Sequence, residues 1–465
     1  MPDRPNVLFV MADQHRGDAV GADPACPPAG DGAPAVHTPN IDHFVDEGAL
    51  FSRAYTPVPS CIPARRCLWT GMGQDSADAP NWTTEPWAFE HTLPRVLRDA
   101  GYQTHLAGKS HSQPLRNHFG FEGMDLHAGG DGDYATYLDR VSDGEFDEIS
   151  HGLDRNSWDP RQNHLPEHLD TRDPTRPFFL TVSYHRPHQP FDPPEPYWEM
   201  YRERDLPAPD VGAWADRIYG EKVPANPDTN AWCADLPAWV VERARAGYYG
   251  SITHVDHQLN RILDRLGDDT LIVYTSDHGE MLGDHYLWRK TYAYEGSARV
   301  PMVVQFPGDA DLPRGQTIDR PVGLEDLMPT VLDYLDIPAP DTVEGRSLLD
   351  LVVDPDREDW RPFYHGEHGP IYDPENACQY LVGDRQKYVY NPITGDELLF
   401  DLVSDPGETT NLAADDDHAD ELGRWRDRLV ETLSDRPEGL VADGELQRKE
   451  PGIFGETRFR VRTGY

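Results

Sequence analysis

The chain has 465 residues, enough for a large buried core, and its 82 acidic against 42 basic residues give a formal net charge of −40. A surface this acidic repels nucleic acid and anionic membranes, so we expect neither as a partner. The apolar run at residues 7–11 is too short for the core of a signal peptide, and no run approaches the roughly 20 apolar residues of a membrane helix. These features favour a cytoplasmic protein.

The basic residues are almost all arginine, because only five of the 42 are lysine. Such an acidic, lysine-poor composition is similar to that of salt-accumulating halophiles, where a Debye length of about 3 Å in molar salt would screen the self-repulsion. The alternative is an acidic cytosolic enzyme of ordinary origin. The cysteines are odd in number and scattered, which favours a reducing interior over a disulfide framework. They are Cys26, Cys61, Cys67, Cys233 and Cys378.

Apolar runs separated by helical patterns predict an α/β protein. Buried strands are predicted at residues 6–12, 103–107, 178–183, 270–275 and 300–306, and amphipathic helices at 92–100 and 240–266. Continuous apolar strands of this kind are typical of a mostly parallel central sheet flanked by helices on both faces. We therefore expect a catalytic core over residues 1–360.

The C-terminal part changes character after residue 360. Short strand patterns at 377–382, 386–390 and 397–402, joined by Gly- and Asn-containing turns, precede a helical pattern at 419–433. They predict a small antiparallel subdomain over residues 361–465. Its basic tail, residues 446–465, is interpreted either as an arm to a neighbouring subunit in a homo-oligomer or as a disordered end.

Two long segments rich in Pro, Gly, Asp and Trp, residues 112–170 and 190–235, interrupt the strand and helix patterns. We expect them to lie over one edge of the sheet. Loops of this kind usually shape a substrate pocket, although plain surface excursions are the alternative.

Polar groups follow four of the predicted strands directly. Asp13, Lys109, His188 and Asp277 each come just after a strand end. In open α/β sheets, ligands bind at the carboxyl edge of the strands. The sequence therefore predicts that these four side chains converge on one site.

The run Cys61-Ile62-Pro63-Ala64-Arg65, followed by Thr70-Gly71, predicts a reactive helix start. A helix beginning near Cys61 tolerates Pro63 in its first turn and places Arg65 on the same face, with its guanidinium over the thiol. The N-terminal dipole of the helix would favour an anion beside Cys61 and activate the thiol. The alternative is a small buried cysteine at a loop-to-helix junction.

The pairs Asp13-Gln14 and Asp277-His278 together favour a divalent-metal site. They offer two carboxylates, an amide oxygen and an imidazole at neighbouring strand ends. Either pair alone would as readily serve a turn or a helix cap. Gly279, which follows His278, indicates a tight turn at this place.

Three further motifs carry cations or imidazoles. In Gly108-Lys109-Ser110-His111, an extended chain would project Lys109 and His111 to the same side. Pro187-His188-Gln189-Pro190 follows a strand, and Arg289-Lys290-Thr291 lies further along the chain. A plain surface role is the alternative for Lys109 and His111 and for Lys290.

Together these motifs resemble the type I, formylglycine-dependent sulfatases of the alkaline phosphatase superfamily. The resemblance rests on Cys-x-Pro-x-Arg with Thr-Gly, Gly-Lys-x-His, His between prolines, the segment around Lys290, and the C-terminal elements at residues 399–402 and 405–413. It extends over residues 6–413. It implies an alkaline-phosphatase-like fold in which Cys61 is oxidised to formylglycine by a formylglycine-generating enzyme, and its hydrated aldehyde is the nucleophile.

The resemblance also implies a role for each motif residue. The divalent metal, calcium by family and manganese or zinc on account of the imidazole, would be bound by Asp13, Gln14, Cys61, Asp277 and His278. Charge on the nucleophile and the sulfate would be stabilised by Arg65, Lys109 and Lys290. His188, with His185 in reserve, would protonate the leaving alcohol, and His111 would take a proton from the second hydroxyl of the diol. The substrate would be an aryl, alkyl or carbohydrate sulfate.

Gln14 and His278 depart from the Asp-Asp and Asp-Asn pairs common in arylsulfatases. This variant is similar to choline-sulfatase-like enzymes and to phosphonate monoester hydrolases. A phosphonate monoester hydrolase or phosphodiesterase of the same superfamily is therefore one alternative function. A non-catalytic anion- or glycan-binding protein, in which Cys61 stays a thiol, is a second.

Overall fold

The computed structural model describes residues 4–83, 85–114, 116–126, 169, 172–228 and 231–454. Residues 127–168, most of the first predicted insertion, and residues 455–465 of the predicted tail therefore lie outside the described part of the chain.

An eight-stranded sheet forms the centre of the described structure. In spatial order its strands are β5 (Gly123–Leu126), β4 (Gln103–Gly108), β6 (Phe178–Pro187), β1 (Asn6–Asp13), β7 (Thr270–Thr275), β8 (Met302–Gln305), β2 (Gly48–Phe51) and β9 (Gln316–Ile318). In the described sheet only β8 runs against the others, pairing antiparallel with β7 and β2. The predicted mostly parallel sheet is confirmed.

Helices cover both faces of this sheet. The α-helices are α1 (Pro39–Asp46), α2 (Cys61–Thr70), α3 (Leu93–Asp99), α4 (Glu195–Tyr201), α5 (Ala213–Tyr219), α6 (Ala238–Leu263), α7 (Glu295–Ala298), α8 (Leu327–Tyr334), α9 (Leu349–Val353) and α10 (Ala419–Leu433). Among the helices that the structure describes, none has a stretch long and apolar enough to cross a bilayer.

The alternation of side chains along β1 divides the core into two layers. Phe9 packs in the same apolar cluster as Leu68 and Trp69 of α2, whereas Val10 packs with Leu259 of α6. All eight residues of β1 are buried because both faces are covered. This sandwiching explains why the strand reads as a continuous apolar run.

A four-stranded antiparallel sheet forms the C-terminal part, as the sequence predicts. Its order is β11 (Phe363–His368), β12 (Cys378–Gly383), β13 (Gln386–Tyr390) and β14 (Glu397–Asp401). Trp425, Leu429 and Leu433 of α10 pack against it. β11 was not predicted, because its polar sequence FYHGEH lacks an apolar run.

The remaining elements are short. Two-stranded sheets pair β3 (Ala54–Tyr55) with β10 (Val322–Gly323) and β15 (Val441–Ala442) with β16 (Glu445–Leu446). The second predicted insertion, residues 190–235, contains α4, α5 and the 3₁₀ turn Gly220–Lys222. Further 3₁₀ turns are Asp284–Tyr286, Leu324–Asp326, Leu412–Ala414, Asp416–His418 and Pro451–Phe454.

Two strands are longer than predicted. β1 continues through Asp13 and β6 continues to Pro187, because a register shift between Ala12 and Asp13 pairs Asp13 with Pro187. The apolar pattern ends before the pairing does, since polar residues can complete a ladder at a sheet edge. Asp13 is therefore the last residue of its strand rather than the first residue after it.

Gly108 offers a test of how tightly the sheet edge is packed. Its φ is +109°, and a Cβ there would collide with the carbonyl oxygen of Ser183 on β6. We expect Gly108→Ala to lower the free energy of unfolding by about 2–3 kcal/mol, measured by urea denaturation. Gly423 of α10 has open space around it, so Gly423→Ala should instead stabilise by about 0.5–1 kcal/mol. Equal effects of the two substitutions would contradict this interpretation.

Candidate active site

Four strand ends meet at one edge of the main sheet. β4, β6, β1 and β7 lie side by side and run in the same direction. Asp13 ends β1, and Lys109, His188 and Asp277 follow the other three strands within two residues. The structure brings these four predicted side chains together, at the edge where open α/β sheets bind ligands.

Four potential metal ligands form one buried cluster at this edge. Ligand atoms of Asp13, Cys61, Asp277 and His278 all lie within 4.8 Å of one another. His278 Nε2 is 3.7 Å from Asp13 Oδ1, 3.6 Å from Asp277 Oδ1 and 3.1 Å from Cys61 Sγ. Two carboxylates, an imidazole and a sulfur in one cluster suit a divalent cation.

The hydrogen bonding of His278 fits a metal ligand. Its Nδ1 lies 2.9 Å from the carbonyl oxygen of Gly279, which only accepts, so the proton belongs on Nδ1. The Nε2 lone pair then faces Cys61 and the two carboxylates. Metal-binding imidazoles commonly have their second nitrogen fixed in this way. The residues of the cluster therefore fit the predicted divalent metal ion.

Gln14 completes the predicted ligand set from beside Asp13. It has a left-handed backbone with a φ of +69°, and its N–H donates to Asp277 Oδ1 at 3.2 Å. This turn of the chain allows two consecutive residues to face the same site, which a continuing strand would not permit. The side-chain oxygen accepts a hydrogen bond of 2.8 Å from Lys290 Nζ.

Arg65 and Lys109 compensate the two buried carboxylates. Arg65 Nε donates to Asp277 Oδ2 at 2.8 Å, its NH2 lies 3.6 Å from Asp13 Oδ2, and Lys109 Nζ donates to Asp13. Burial alone would raise the pKa of Asp13, but Lys109, His188 and Arg65 hold it well below its usual value. Both carboxylates are therefore charged at neutral pH.

Cys61 is the first residue of α2, as predicted, and its thiol is buried among cations. Lys109 Nζ lies 3.7 Å from Cys61 Sγ. Burial and Asp13 would raise the pKa of this thiol, yet Lys109, Lys290 and His278 bring it well below its usual value. The helix N-terminus adds a further favourable field. The arrangement favours an anionic, reactive group at this position.

The guanidinium of Arg65, predicted to lie over the Cys61 thiol, also hydrogen-bonds to the sheet. Its Nη1 donates to the Lys109 carbonyl at 2.7 Å and to Ser183 Oγ at 3.0 Å. These bonds direct the group toward the sheet edge, where it bridges α2 to β4 and β6. Among the described residues, its NH2 is buried with no hydrogen-bond partner.

Lys109 and His111 both lie at the cluster, but the chain between them is not extended as predicted. His111 has a φ of +50°, so the backbone turns there. Burial and Lys109 lower the pKa of its imidazole, and the neighbouring Cys61 opposes this shift. Within the described part of the chain, Nδ1 of His111 is buried without a hydrogen-bond partner.

His188 and Lys290 form a hydrogen-bonded pair at the side of the cluster. Lys290 Nζ lies 3.0 Å from His188 Nε2, and His188 Nδ1 lies 2.9 Å from the Gln189 carbonyl oxygen. The Nδ1 nitrogen therefore carries the proton and Nε2 accepts from the ammonium. His185, the reserve candidate, packs against His188 with ring centroids 4.8 Å apart.

Gly279 is needed for a reason other than the predicted tight turn. Its φ is not in the left-handed region, but a Cβ there would collide with the carbonyl oxygen of Gly296. Its N–H also donates to the Ser297 carbonyl at 2.8 Å. Glycine therefore permits the chain after β7 to approach the start of α7.

Two polar residues at the site were not predicted to take part in it. Glu280 and Gln189 both hydrogen-bond to the Gln14 amide. Gln189 directly follows the predicted site residue His188, and Glu280 lies two residues after His278. Their adjacency was the only available signal, because nothing in a sequence shows which way a neighbour of a ligand points.

Comparison with known proteins gives concordant matches. The family profile described as Sulfatase matches residues 5–337, and that described as N-sulphoglucosamine sulphohydrolase, C-terminal, matches residues 283–435. An arylsulfatase of Clostridium perfringens is 36% identical over an alignment of 486 positions, which covers 96% of this chain and 98% of the relative. A multifunctional alkaline phosphatase superfamily protein of Trinickia caryophylli is 30% identical, with 94% and 99% covered. The solved phosphonate monoester hydrolase of Agrobacterium radiobacter superposes with a TM-score of 0.76 at 27% identity, covering 93% and 96%.

The ligand cluster leads to a test by metal removal. Adding Mn²⁺ or Ca²⁺ to chelator-treated protein should raise Tm, because an ion at 100 times its Kd adds about 2.7 kcal/mol to stability. Asp277→Asn should abolish this rise, since one buried carboxylate is lost from the cluster. Asp341→Asn, on an exposed residue, is the control and should keep the rise. An undiminished metal-induced shift in Asp277→Asn would rule out this cluster as the binding site.

Proposed function

This chain belongs to the sulfatase family, and from that premise we propose that it hydrolyses sulfate monoesters through a formylglycine made from Cys61 and a divalent metal. The observation that carries the proposal is the position of Cys61 Sγ, 3.1 Å from His278 Nε2 and 3.7 Å from Lys109 Nζ. The substrate is an aryl, alkyl or carbohydrate sulfate. All proposed site residues lie between positions 13 and 290, within residues 1–360, which we assign to catalysis.

Sulfate monoesters resist hydrolysis because their anionic oxygens repel a nucleophile and the alkoxide leaves poorly. A site that overcomes this needs cations at the sulfate oxygens, an activated nucleophile and a proton for the leaving oxygen. At position 61 the hydrated aldehyde would supply one hydroxyl for attack on sulfur and a second for release of sulfate. This chemistry explains why a cysteine precursor is needed there.

Cationic side chains of this chain supply the charge. Lys109 and Lys290 face the position of Cys61 and already lower the pKa of its thiol. Arg65 adds a buried Nη2, which lies 3.6 Å from Asp13 Oδ2 but makes no hydrogen bond among the described residues, so it can still donate to an anionic oxygen. In a water-poor site such preorganised donors stabilise developing negative charge strongly.

Metal binding is assigned to Asp13, Gln14, Asp277, His278 and the modified side chain at position 61. When bound, a divalent ion would supply Lewis-acid charge that favours deprotonation of the nucleophile and offsets the charge of the sulfate oxygens. Calcium is the choice by resemblance to the family, whereas the imidazole of His278 favours manganese or zinc.

Proton transfer is assigned to two histidines of the site. His188 Nε2 takes a proton from the Lys290 ammonium, to which it is hydrogen-bonded, and passes it to the leaving oxygen, so that Lys290 is left as the neutral amine. His111, whose pKa is influenced by the neighbouring Cys61, takes a proton from the second hydroxyl. The lowered pKa of His111 keeps the imidazole neutral and able to accept.

A phosphonate monoester hydrolase or phosphodiesterase is the second candidate. It is favoured by Gln14 and His278 in the ligand set and by the similarity to the Agrobacterium radiobacter hydrolase. The nucleophile and the metal ligands would be the same. The two functions differ in one position of the substrate. A sulfate monoester has a third terminal oxygen on sulfur, where a phosphonate monoester or a phosphodiester has an organic substituent on phosphorus.

Modification of Cys61 separates an enzyme from a silent binding protein. Mass spectrometry of the peptide containing Cys61, after expression with a formylglycine-generating enzyme, should show formylglycine. Cys61→Ala should reduce turnover of an aryl sulfate by at least about 10³-fold, because the nucleophile is lost. Cys67→Ala, on a buried cysteine of the same helix, should retain the modification and turnover. An unmodified thiol in a fully active protein would refute the formylglycine scheme.

Substrate ranking separates the two enzymatic candidates. A sulfate monoester presents three terminal oxygens to Arg65, Lys109 and Lys290, whereas a phosphonate monoester or phosphodiester presents two. We expect kcat/KM for an aryl sulfate to exceed that for the matching aryl phosphonate and phosphodiester by about 10- to 100-fold, the value of one charge-assisted hydrogen bond. The reverse ranking in steady-state assays would assign the protein to the second candidate function.

A further inference from the structure

The orientation of the Gln14 amide is the unexplained feature of the proposed metal site. A glutamine can turn either its oxygen or its nitrogen toward a cation, and only the oxygen can bind one. Here Oε1 faces Lys290 Nζ at 2.8 Å, and Nε2 donates to Gln189 Oε1 at 2.6 Å and to Glu280 Oε2. Something in the structure must hold the amide in this orientation.

Gln189 cannot fix the orientation by itself. Its own amide can rotate by 180° and offer a donor in place of its oxygen. The Lys290 ammonium only donates, so it favours the same orientation from the oxygen side of the amide. On the nitrogen side, an acceptor that cannot turn into a donor is still needed to fix the amide.

Glu280 differs because its side chain carries two oxygens and no N–H group, so a 180° rotation cannot bring a nitrogen donor into place. Its side chain is buried, with 1% exposure, and Oε1 accepts hydrogen bonds from the N–H groups of Leu282 at 3.0 Å and Arg289 at 2.5 Å. These two bonds anchor one oxygen to the chain after β7. The other oxygen, Oε2, is left facing Gln14 Nε2.

We propose that Glu280 is a positioning residue that holds the Gln14 amide with its oxygen directed into the metal site. Glu280 touches no reacting atom and acts through Gln14 alone. The inference rests on the metal site of the proposed function and adds to it a residue that sets the polarity of one ligand. Carboxylates that orient metal ligands in this way typically change metal affinity by about 10- to 100-fold when replaced.

The isosteric substitution Glu280→Gln has a specific expected consequence. The Leu282 and Arg289 N–H groups require an acceptor, so they retain the oxygen of the new amide at the Oε1 position. Its NH₂ then faces Gln14 Nε2, which places two donors against each other. Gln14 is expected to flip, turning its NH₂ toward Lys290 and the metal position.

A double-mutant cycle on metal affinity tests this proposal without any use of activity. Wild type, Gln14→Ala, Glu280→Gln and the double variant are freed of metal by chelation, and Ca²⁺ and Mn²⁺ affinities are measured by calorimetry. Each single substitution should weaken binding by about 10- to 100-fold. The double variant should bind as Gln14→Ala does, because Glu280 has no ligand left to orient.

The cycle distinguishes orientation from simple loss of a negative charge. If Glu280 acted by charge, the two effects would multiply in the double variant, and the proposal would be overturned. Unchanged affinity in Glu280→Gln would overturn it as well, while leaving the metal site of the wild type in place. Absence of metal binding by the wild type would overturn the proposed metal site and this inference with it.

A swapped pair guards against a variant that fails to fold. In Gln14→Glu/Glu280→Gln the net charge is retained, and the NH₂ of the new glutamine can donate to the new carboxylate. The swap should fold, as judged by circular dichroism and Tm. It should bind Mn²⁺ at least 10-fold more tightly than Glu280→Gln does. If Glu280→Gln is unfolded, the swap should bind Mn²⁺ as tightly as wild type. A folded swap that binds metal more weakly than these references contradicts the proposal.

Discussion

Two fully buried carboxylates at the end of adjacent parallel strands are the constraint on which the site depends. Asp13 and Asp277 are both 0% exposed, and an isolated buried carboxylate would be too costly to retain its charge. Arg65 and Lys109 compensate them, and both cations are held by the same architecture, one by α2 and one by the end of β4. Moving any one of these elements would leave an unpaired charge in the core. The charge balance therefore links the position of helix α2, and with it Cys61, to the sheet.

The C-terminal sheet also contributes to the placement of Cys61. The loop before α2 is fixed from outside the main sheet: Pro57 O accepts from Glu367 N–H of β11 at 2.9 Å, and Pro59 O accepts from Thr291 N–H at 2.9 Å. Lys387 of β13 bonds to Glu295 of α7 at 2.6 Å, and this ion pair ties the C-terminal sheet to the helix that precedes β8. The part of the chain after residue 360 therefore supports the geometry of the site without providing any of its proposed ligands.

The site combines positive and negative groups in an order that suits an anionic substrate. Asp13 and Asp277 are fully buried and would hold a cation, while the charges of Lys109, Lys290 and Arg65 act on the position of Cys61. The neutral imidazoles of His111 and His188 belong to the same group, and their pKa values are lowered by burial and by the neighbouring lysines. These side chains are either cationic or neutral, although the chain as a whole has a net charge of −40. The composition does not reveal this local exception to the acidic character of the protein.

The sequence by itself determined the α/β class, the parallel core strands and the identity of the groups at the sheet edge, because apolar runs and strand-end motifs are local signals. Asp13, Lys109, His188 and Asp277 could be grouped since adjacent parallel strands end at a common edge. Only the tertiary structure decided how these groups bond: that His111 reaches Cys61 through a turned backbone, that Gly279 serves a close approach to Gly296, and that Glu280 contacts Gln14. These contacts join residues that are far apart in the chain or differ only in side-chain direction. Their geometry is set by packing and hydrogen bonding across the fold, which no local pattern encodes.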